Sequence, residues 1–324
     1  MNKLSIIVPV YNGEETIEKA IVSLLCQSVP VDIIVINDGS KDRTEEIILR
    51  LKENNDNIHY YVKENKGIAS ARNFGVAKVE SEYFGFLDSD DSVREDMAEK
   101  MLKAIEENDA DICMSDFIWL YESGERKEAR DVFYKDKHEI LEKMFATLWN
   151  KIYRTEWFRK TGIEFPDGLR YEDASVLYRL AYHMDRVAYV DEAFVDYFQR
   201  KGSITHTFNI NINDMIAVFK GIRSFYEEKG AFEEYRDEIE YLFIRFFLGN
   251  SYLRACRIID RDVRKETLDK GWTFLNENFP DFKKNRYLNN SGMKNKYFRL
   301  INKQLYYANV WLFKFLYKTG IMKQ

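Results

Sequence analysis

Residues 83–91, YFGFLDSDD, end an apolar run by placing Asp88, Asp90 and Asp91 within four positions. If the strand continues through them, Asp88 and Asp90 point to the same side, where two carboxylates repel unless a cation lies between them. Carboxylate oxygens suit Mg²⁺ or Mn²⁺, which proteins commonly hold with one or two carboxylates plus substrate phosphates. The cluster therefore predicts a metal–diphosphate site. The alternative is an acidic N-terminus for a helix that begins near Glu95.

The elements that would position this cluster alternate between strand and helix. Continuous apolar runs predict buried strands, and apolar residues at helical spacing predict a helix after each of the first three. The predicted strands are 4–10, 31–36, 58–63 and 83–88, and the helices are 14–26, one from about 42 and one from 67. This alternation predicts an α/β fold with a mainly parallel central sheet and helices on both faces.

Polar side chains follow three of these four strands. They are Tyr11 with Asn12, then Asp38, then the 88–91 cluster. Because ligands of such sheets bind at the carboxyl ends of the strands, we expect these side chains to converge on one crevice. Neither a GxGxxG after the first strand nor a GxxxxGK[ST] is present in the sequence, so the common dinucleotide and phosphate-loop fingerprints are absent.

Composition restricts the class of protein. The 324 residues are 45% hydrophobic and 32% charged, which suits a soluble chain of about two domains. Three widely spaced cysteines argue against a disulfide framework and for a reducing compartment. We expect no signal peptide and no transmembrane helix, because no uncharged run approaches the roughly 18 residues that a span requires. These features predict a cytoplasmic protein.

Four segments of the first 207 residues form a recognisable set. They are SIIVPVYNGEETIEKAIVSLLCQS (5–28), IIVINDGSKDRT (33–44), NKGIASARNFGVAKVESEYFGFLDSDD (65–91) and YEDASVLYRL (171–180). In order and spacing, these segments resemble the family 2 glycosyltransferases, which have the nucleotide-binding GT-A fold. The resemblance implies a nucleotide-sugar-binding half at 1–110 and an acceptor-binding half at 111–207. An all-helical region would follow at 208–324.

The resemblance also implies roles for individual residues around a nucleotide-sugar donor. Asp38 would accept from the base or ribose, and Arg72 would approach the nucleotide or its phosphates. Asp88 would bind ribose or metal, Asp90 would coordinate the Mn²⁺ or Mg²⁺ ion, and His206 would complete the metal shell. Residues implied to line the nucleotide pocket are Pro9, Val10, Tyr11, Asn12, Glu14 and Ser89.

Several of these residues have a purely structural alternative. Asp38 could be a turn former before Gly39, and Arg72 a surface arginine of a helix. Glu14 could be only a partner of the helix dipole. His206 could be a loop histidine.

The pair Glu172–Asp173 opens the last of the four segments and begins an apolar helical pattern. A displacement that inverts the sugar needs one carboxylate to take the proton of the acceptor hydroxyl. The resemblance implies that this pair supplies it, with Asp173 as the base and Glu172 orienting it or contacting the acceptor. The alternative is a pair of carboxylates that only complement a helix N-terminus.

The last part of the chain differs in charge. The net charge is −5, yet residues 282–324 contain ten Lys or Arg and no acid, which leaves −15 for the rest. Residues 294–318 predict an amphipathic basic helix, with lysines opposite an apolar face formed by Phe298, Ile301, Leu305, Ala308, Leu312, Phe315 and Leu316. That pattern is typical of a helix on an anionic membrane surface, here the inner face. The alternative is packing on its own domain or on a second subunit, as in a homo-oligomer.

Together these features predict a metal-dependent, inverting glycosyltransferase that moves a sugar, most simply from UDP, to a glycan or lipid-linked glycan. Surface polysaccharide synthesis is the setting expected by analogy. We expect no nucleic acid partner, because the body is acidic and no recognition motif is present. A sugar nucleotidyltransferase should show a glycine-rich basic loop where this chain has VPVYNGEE. A non-catalytic scaffold should have lost the aspartates or the Glu172–Asp173 pair.

Overall fold

The first 86 residues form four parallel strands with a helix after each of the first three. The strands β1 and β2 are buried along their whole length, as expected for strands covered on both faces. The elements are β1 (Leu4–Val10), α1 (Ile17–Leu25), β2 (Asp32–Asn37), α2 (Thr44–Lys52), β3 (Ile58–Val62), α3 (Ile68–Lys78) and β4 (Tyr83–Phe86). The computed structural model describes residues 2–131, 134–199 and 208–319.

The next hundred residues extend the same sheet to nine strands. They comprise β5 (Ser92–Val93), α4 (Met97–Glu107), β6 (Ile112–Tyr121), β7 (Arg126–Ala129), α5 (Lys137–Lys143), β8 (Lys151–Arg154), α6 (Thr155–Thr161), α7 (Glu172–Leu180) and β9 (Val187–Gln199). The strand order is β3-β2-β1-β4-β8-β6-β9-β5, and β7 pairs with β6.

This sheet is mainly parallel, as predicted, but its second half also contains antiparallel pairs. Pairing is parallel among β1 to β4 and between β6 and β9. It is antiparallel where β8 joins β4 and β6, and at β6–β7 and β5–β9. The parallel half follows from the strand–helix alternation. The antiparallel half arises because β8 runs backwards between β4 and β6, which no local pattern in the sequence announces.

Contacts divide the chain into two units, Met1–Ser203 and Ile204–Gln324. Apart from short 3₁₀ and π turns, the described part of the second unit contains only α-helices. They are α8 (Asp214–Glu228), α9 (Arg236–Arg245), α10 (Ser251–Cys256), α11 (Arg261–Asn278), α12 (Met293–Leu300) and α13 (Lys303–Lys318). Its core is rich in aromatic rings, and the Phe219 ring lies 4.7 Å from that of Phe243. The predicted all-helical region is present in these residues.

A close contact sets the position of α3 on the sheet. A Cβ added to Gly75 would lie 2.4 Å from Ile7 Cγ2 of β1, so only glycine allows α3 to approach this strand so closely. Arg72 lies one turn earlier in the same helix and is buried. The close approach therefore brings a buried cation towards the carboxyl ends of the strands.

Candidate active site

The loops after β1, β2 and β4 leave the sheet at one edge. Val10 pairs with Asn37 of β2, and the Leu87 backbone N–H donates to the Ile7 carbonyl at 3.0 Å. A Cβ added to Gly13 would lie 3.7 Å from Ser89 Oγ, so the first and the last of these loops are neighbours. The convergence expected from the sequence is present.

The segment from Pro9 to Tyr11 changes from buried to exposed. Pro9 and Val10 are buried in β1, and Val10 packs in the core beneath α1. The side chain of Tyr11 is 51% exposed. Tyr11 can therefore contact a ligand directly, whereas Pro9 and Val10 shape the end of the strand.

Asn12 and Glu14 fasten the first loop to the second. The Asn12 amide oxygen accepts from the Lys41 backbone N–H at 2.8 Å, and the Asn12 backbone N–H donates to Ser40 Oγ at 2.9 Å. Glu14 Oε2 accepts from the backbone N–H of Arg43 at 3.0 Å and from its Nε at 3.3 Å. Both side chains predicted to touch a nucleotide thus also organise the loops around the pocket.

Asp38 fastens the loop that precedes α3. Its Oδ1 accepts from Lys63 Nζ at 2.6 Å and from the Lys66 backbone N–H at 3.1 Å, and its Oδ2 accepts from the Gly67 backbone N–H at 2.8 Å. Gly67 has a φ of +88°, which favours glycine. A carboxylate offers about four acceptor positions, so about one remains for a base or ribose.

Arg72 connects two carboxylates that are far apart in sequence. Its side chain is 4% exposed; Nη2 donates to Asp88 Oδ1 at 2.8 Å, and Nη1 donates to Glu172, one hundred residues away. Burial disfavours the charged guanidinium, but Asp88 and Glu172 outweigh it and hold the Arg72 pKa above its usual value. Arg72 is therefore not a surface arginine, whereas its predicted approach to the nucleotide or its phosphates stays a prediction. It is a buried bridge, with Nε buried and making no hydrogen bond.

The carboxylates at 88–91 lie on a turn, not on the strand. β4 ends at Phe86, and the Asp91 backbone N–H donates to the Asp88 carbonyl at 3.0 Å, which closes the turn. The helix that follows begins at Met97. The alternation argument for Asp88 and Asp90 was therefore wrong, and so was the alternative that they cap a helix. The turn still gathers three carboxylates and Ser89 at the strand edge.

Asp91 is the buried member of this turn and was not predicted as a site residue. It is 0% exposed, its Oδ1 accepts from the Phe198 backbone N–H at 2.8 Å, and its Oδ2 is buried without a hydrogen bond. Burial, followed by the charges of Asp88 and Asp90, raises its pKa well above the usual range. The turn thus crowds three carboxyl groups that disfavour one another's negative charge.

These residues fit a divalent cation in the chemistry of their donors. Hard carboxylate oxygens beside an uncompensated buried carboxylate oxygen favour Mg²⁺ or Mn²⁺. Among the described residues no three His, Cys, Asp or Glu side chains are grouped as a complete ligand set. An ion held through Asp88 and Asp90 would complete its shell with substrate and water oxygens, as Mg²⁺ commonly does. His206, the third predicted ligand, lies outside the described residues.

Glu172 and Asp173 form the first turn of α7 but differ in environment. They follow Tyr171, whose φ of +66° is strained for a bulky residue. Glu172 is paired with Arg72, whereas Asp173 Oδ1 accepts the nearby Ala174 backbone N–H, at 2.7 Å. Burial and the charge of Glu172 raise the pKa of Asp173 to about 7, against the opposing charge of Arg72. A carboxylate that titrates near neutral pH suits a general base.

Lys151, which the sequence analysis did not single out, is a buried lysine close enough to Asp173 to interact with it electrostatically. Its side chain is 0% exposed, and Nζ donates to the carbonyls of Phe145 and Thr147 at 3.1 and 2.8 Å and to Asn150 Oδ1 at 2.8 Å. Burial lowers its pKa to about 8, against the charges of Asp131 and Asp173. A charged residue inside the apolar stretch LWNKIY was the available signal.

The first half of the chain matches a family of known proteins. The model of the family described as "Glycosyl transferase family 2" matches residues 5–168, about half of the chain. The chain belongs to glycosyl transferase family 2. The match includes the three strand-end loops and ends before Glu172, so the assignment of the base rests on the geometry above.

One relative is the glycosyltransferase GlyA of Streptococcus pneumoniae serotype 4. The two are 30% identical over 221 residues, which are 63% of this chain and 32% of GlyA. Across the first three curated relatives, the matched part spans from about a third to just under two thirds of their length.

Solved structures are similar over nearly the whole chain. S. aureus TarS 1-349 in complex with UDP superposes with a TM-score of 0.69 and 21% identity, covering 98% of this chain and 92% of that one. The mannosyltransferase PcManGT from Pyrobaculum calidifontis, in complex with GDP-Man and Mn²⁺, gives 0.54 and 14%, covering 98% and 86%. The predicted GT-A fold with a helical C-terminal region is confirmed.

Proposed function

We propose that this chain is a metal-dependent, inverting glycosyltransferase that transfers one sugar from UDP to a hydroxyl of a glycan or lipid-linked glycan. The observation that carries the proposal is the Arg72 bridge. It neutralises Glu172 and contacts Asp88, and so leaves Asp173 as the carboxylate beside the strand edge that titrates near neutral pH.

The chain's own residues divide the work of an inverting displacement. Asp173 takes the proton of the acceptor hydroxyl while that oxygen forms a bond to the anomeric carbon. The bond from that carbon to the diphosphate oxygen breaks, and the electron pair leaves with the diphosphate. Glu172, held by Arg72, fixes the first turn of α7 and adds a charge that keeps Asp173 basic. Asp38, Asn12 and Glu14 hold the loops around the nucleotide.

Asp88 and Asp90 would hold the divalent ion, Mn²⁺ or Mg²⁺, with Ser89 between them. When bound, such an ion offsets the negative charge that the departing diphosphate acquires. The PcManGT complex with Mn²⁺ supports this use of the fold, and the TarS complex with UDP supports UDP as the nucleotide.

The acceptor and the location belong to the same proposal. We propose a cytoplasmic enzyme that works at the inner face of the membrane in surface polysaccharide synthesis. None of the described helices is both long and apolar enough to cross a bilayer. We propose that the basic segment 282–324 makes the contact with the membrane surface.

The test is nucleotide release from a panel of UDP-, GDP- and TDP-sugars with Mn²⁺ or Mg²⁺ and with chelator. We expect metal-dependent release from a UDP-sugar by the wild type and its loss in Asp90→Ala. Asp173→Asn should bind UDP with unchanged affinity but turn over at least about a hundredfold more slowly. Asp167→Asn, an exposed carboxylate five residues before Glu172, is the matched control and should keep full activity.

Metal-independent release, or full activity in Asp90→Ala, would contradict the metal site. Full activity in Asp173→Asn would contradict the base. If no nucleotide binds with any metal, the chain is a non-catalytic relative.

A further inference from the structure

The helix α13 packs on the second unit through one face. Tyr306 is 1% exposed, and its ring lies 4.5 Å from that of Tyr252 and 4.9 Å from that of Trp272. The Tyr252 hydroxyl donates to the Tyr306 carbonyl at 2.6 Å, and the Phe313 ring also contacts Tyr252. These contacts fix the rotation of α13 about its axis, so the opposite side is fixed as well.

The opposite side of α13 is apolar and exposed. Leu305 is 43%, Trp311 74%, Leu312 43% and Phe315 48% exposed, and the Trp311 and Phe315 rings stack on each other. With Ala308 they follow one another at helical spacing and form a continuous stripe, here called the outer face. Single exposed apolar residues are ordinary, but a continuous stripe with a tryptophan marks an interaction surface.

This arrangement differs from the single amphipathic helix predicted for 294–318. The segment forms two helices, because α12 ends at Leu300 and Ile301 is extended. Phe298 and Ile301, predicted on the same face as Leu312, are only 1% exposed and belong to the protein core. The apolar surface that remains available is the outer face of α13.

Exposed basic residues lie along one flank of the outer face and on the preceding helix α12. Lys296, Arg299, Lys303 and Lys314 are exposed, and within the described residues none of them forms an ion pair. On a helical projection Lys303 and Lys314 lie between the packed face and the outer face. The whole stretch 282–324 contains no acid. A partner of this surface must therefore be both apolar and anionic.

We propose that the outer face of α13 docks on an anionic lipid bilayer, with the helix lying in the plane of the interface. Leucine and phenylalanine side chains would enter the acyl boundary, while Trp311 would sit at the level of the headgroups. Lys303 and Lys314 would then contact the phosphates of anionic lipids. This inference rests on the membrane location in the proposed function and does not depend on the transfer reaction itself.

A second copy of the chain is the other natural occupant of an apolar stripe. In a two-fold contact the same surface meets itself. Such a contact would bring Lys303 and Lys314 close to their own copies, with no acid in the segment to offset them. Like charges across an interface disfavour association, whereas an anionic bilayer attracts them. The charge therefore favours lipid.

The experiment is co-sedimentation of the full chain with vesicles of phosphatidylcholine alone and of phosphatidylcholine mixed with phosphatidylglycerol. We expect binding to the anionic vesicles that weakens as salt is raised. The double variant Lys303→Gln/Lys314→Gln should lower the partition coefficient by about 25-fold, since each lysine near the surface contributes about a fivefold effect. Trp311→Ser/Phe315→Ser should lower binding by at least about tenfold.

Ile259→Ser is the matched control, because Ile259 is in the same unit and 93% exposed but lies outside this surface. It should bind vesicles like the wild type. Circular dichroism and thermal unfolding of each variant establish that the fold is kept, as expected for exposed positions. Equal binding by all variants, or no binding to anionic vesicles, overturns the proposal. So does a concentration-dependent dimer that Trp311→Ser/Phe315→Ser abolishes in sedimentation equilibrium.

Discussion

Replacing Arg72 by methionine removes the buried charge that joins Asp88 to Glu172. The Arg72 side chain is 4% exposed, and those of Glu172 and Asp88 are 10% and 26% exposed, so little water can replace the lost contacts. Breaking a buried ion pair by removing one partner costs about 3–5 kcal/mol. We therefore expect the free energy of unfolding of Arg72→Met to fall by about that amount at pH 7.5, measured by urea denaturation.

Removing Arg72 should also change the pH dependence of the reaction rate. The Arg72 charge opposes the rise in the Asp173 pKa, and its removal should therefore move the acidic limb of the pH–rate profile above about 7.

Two further variants test whether the buried Arg72 bridge stabilises this site. Arg72→Met/Glu172→Gln should recover part of the lost stability, because the unpaired carboxylate is gone. Arg50→Met breaks the exposed pair of Arg50 with Glu18 and should cost less than about 1 kcal/mol. If Arg72→Met costs no more than Arg50→Met and the acidic limb does not move, the buried bridge is not what holds this site.

Three other variants probe the base, the buried lysine and the position of α3. Asp173→Asn should raise the free energy of unfolding by about 1–3 kcal/mol at pH 8 and leave it unchanged near pH 4. The reason is that the charge on this buried carboxylate is costly only above its unfolded pKa. An equal effect at both pH values would contradict this prediction. Lys151→Met should lower the free energy of unfolding by about 2–4 kcal/mol in denaturant titrations and raise the KM of the acceptor, because the segment 145–150 loses its hydrogen bonds to Nζ. The exposed Lys160→Met should change neither quantity. Gly75→Ala should lower the free energy of unfolding by about 1–3 kcal/mol, because the added Cβ would be too close to Ile7 of β1. An unchanged or raised free energy of unfolding would show that α3 can shift freely.

The sequence was sufficient to predict the parallel half of the sheet. Continuous apolar strands and amphipathic helices are local patterns, and the predicted bounds of β1 to β4 differ from the structure by at most two residues at either end. The crossing of β8 between β4 and β6 depends instead on pairing of distant residues. No local hydrophobic periodicity of the sequence encodes such a pairing, so the half of the sheet that contains antiparallel pairs was not predicted.

The same distinction applies to the candidate site. Residue types at strand ends indicated Asp38 and Asp88, and the resemblance to the family indicated Asp173. Their partners did not follow from the sequence, because the Arg72–Glu172 contact joins residues one hundred positions apart. The burial of Lys151 likewise depends on a surrounding loop that only the folded chain assembles.

The most direct test of the central claim is the pH dependence of kcat/KM for transfer to an acceptor, in the wild type and in Asp173→Asn, with UDP affinity measured in parallel. We expect the wild-type kcat/KM to fall as the pH drops through about 7, because Asp173 then takes up a proton. Asp173→Asn should lose this limb and most of the rate while still binding UDP. An unchanged limb in Asp173→Asn would contradict the account and place the base elsewhere.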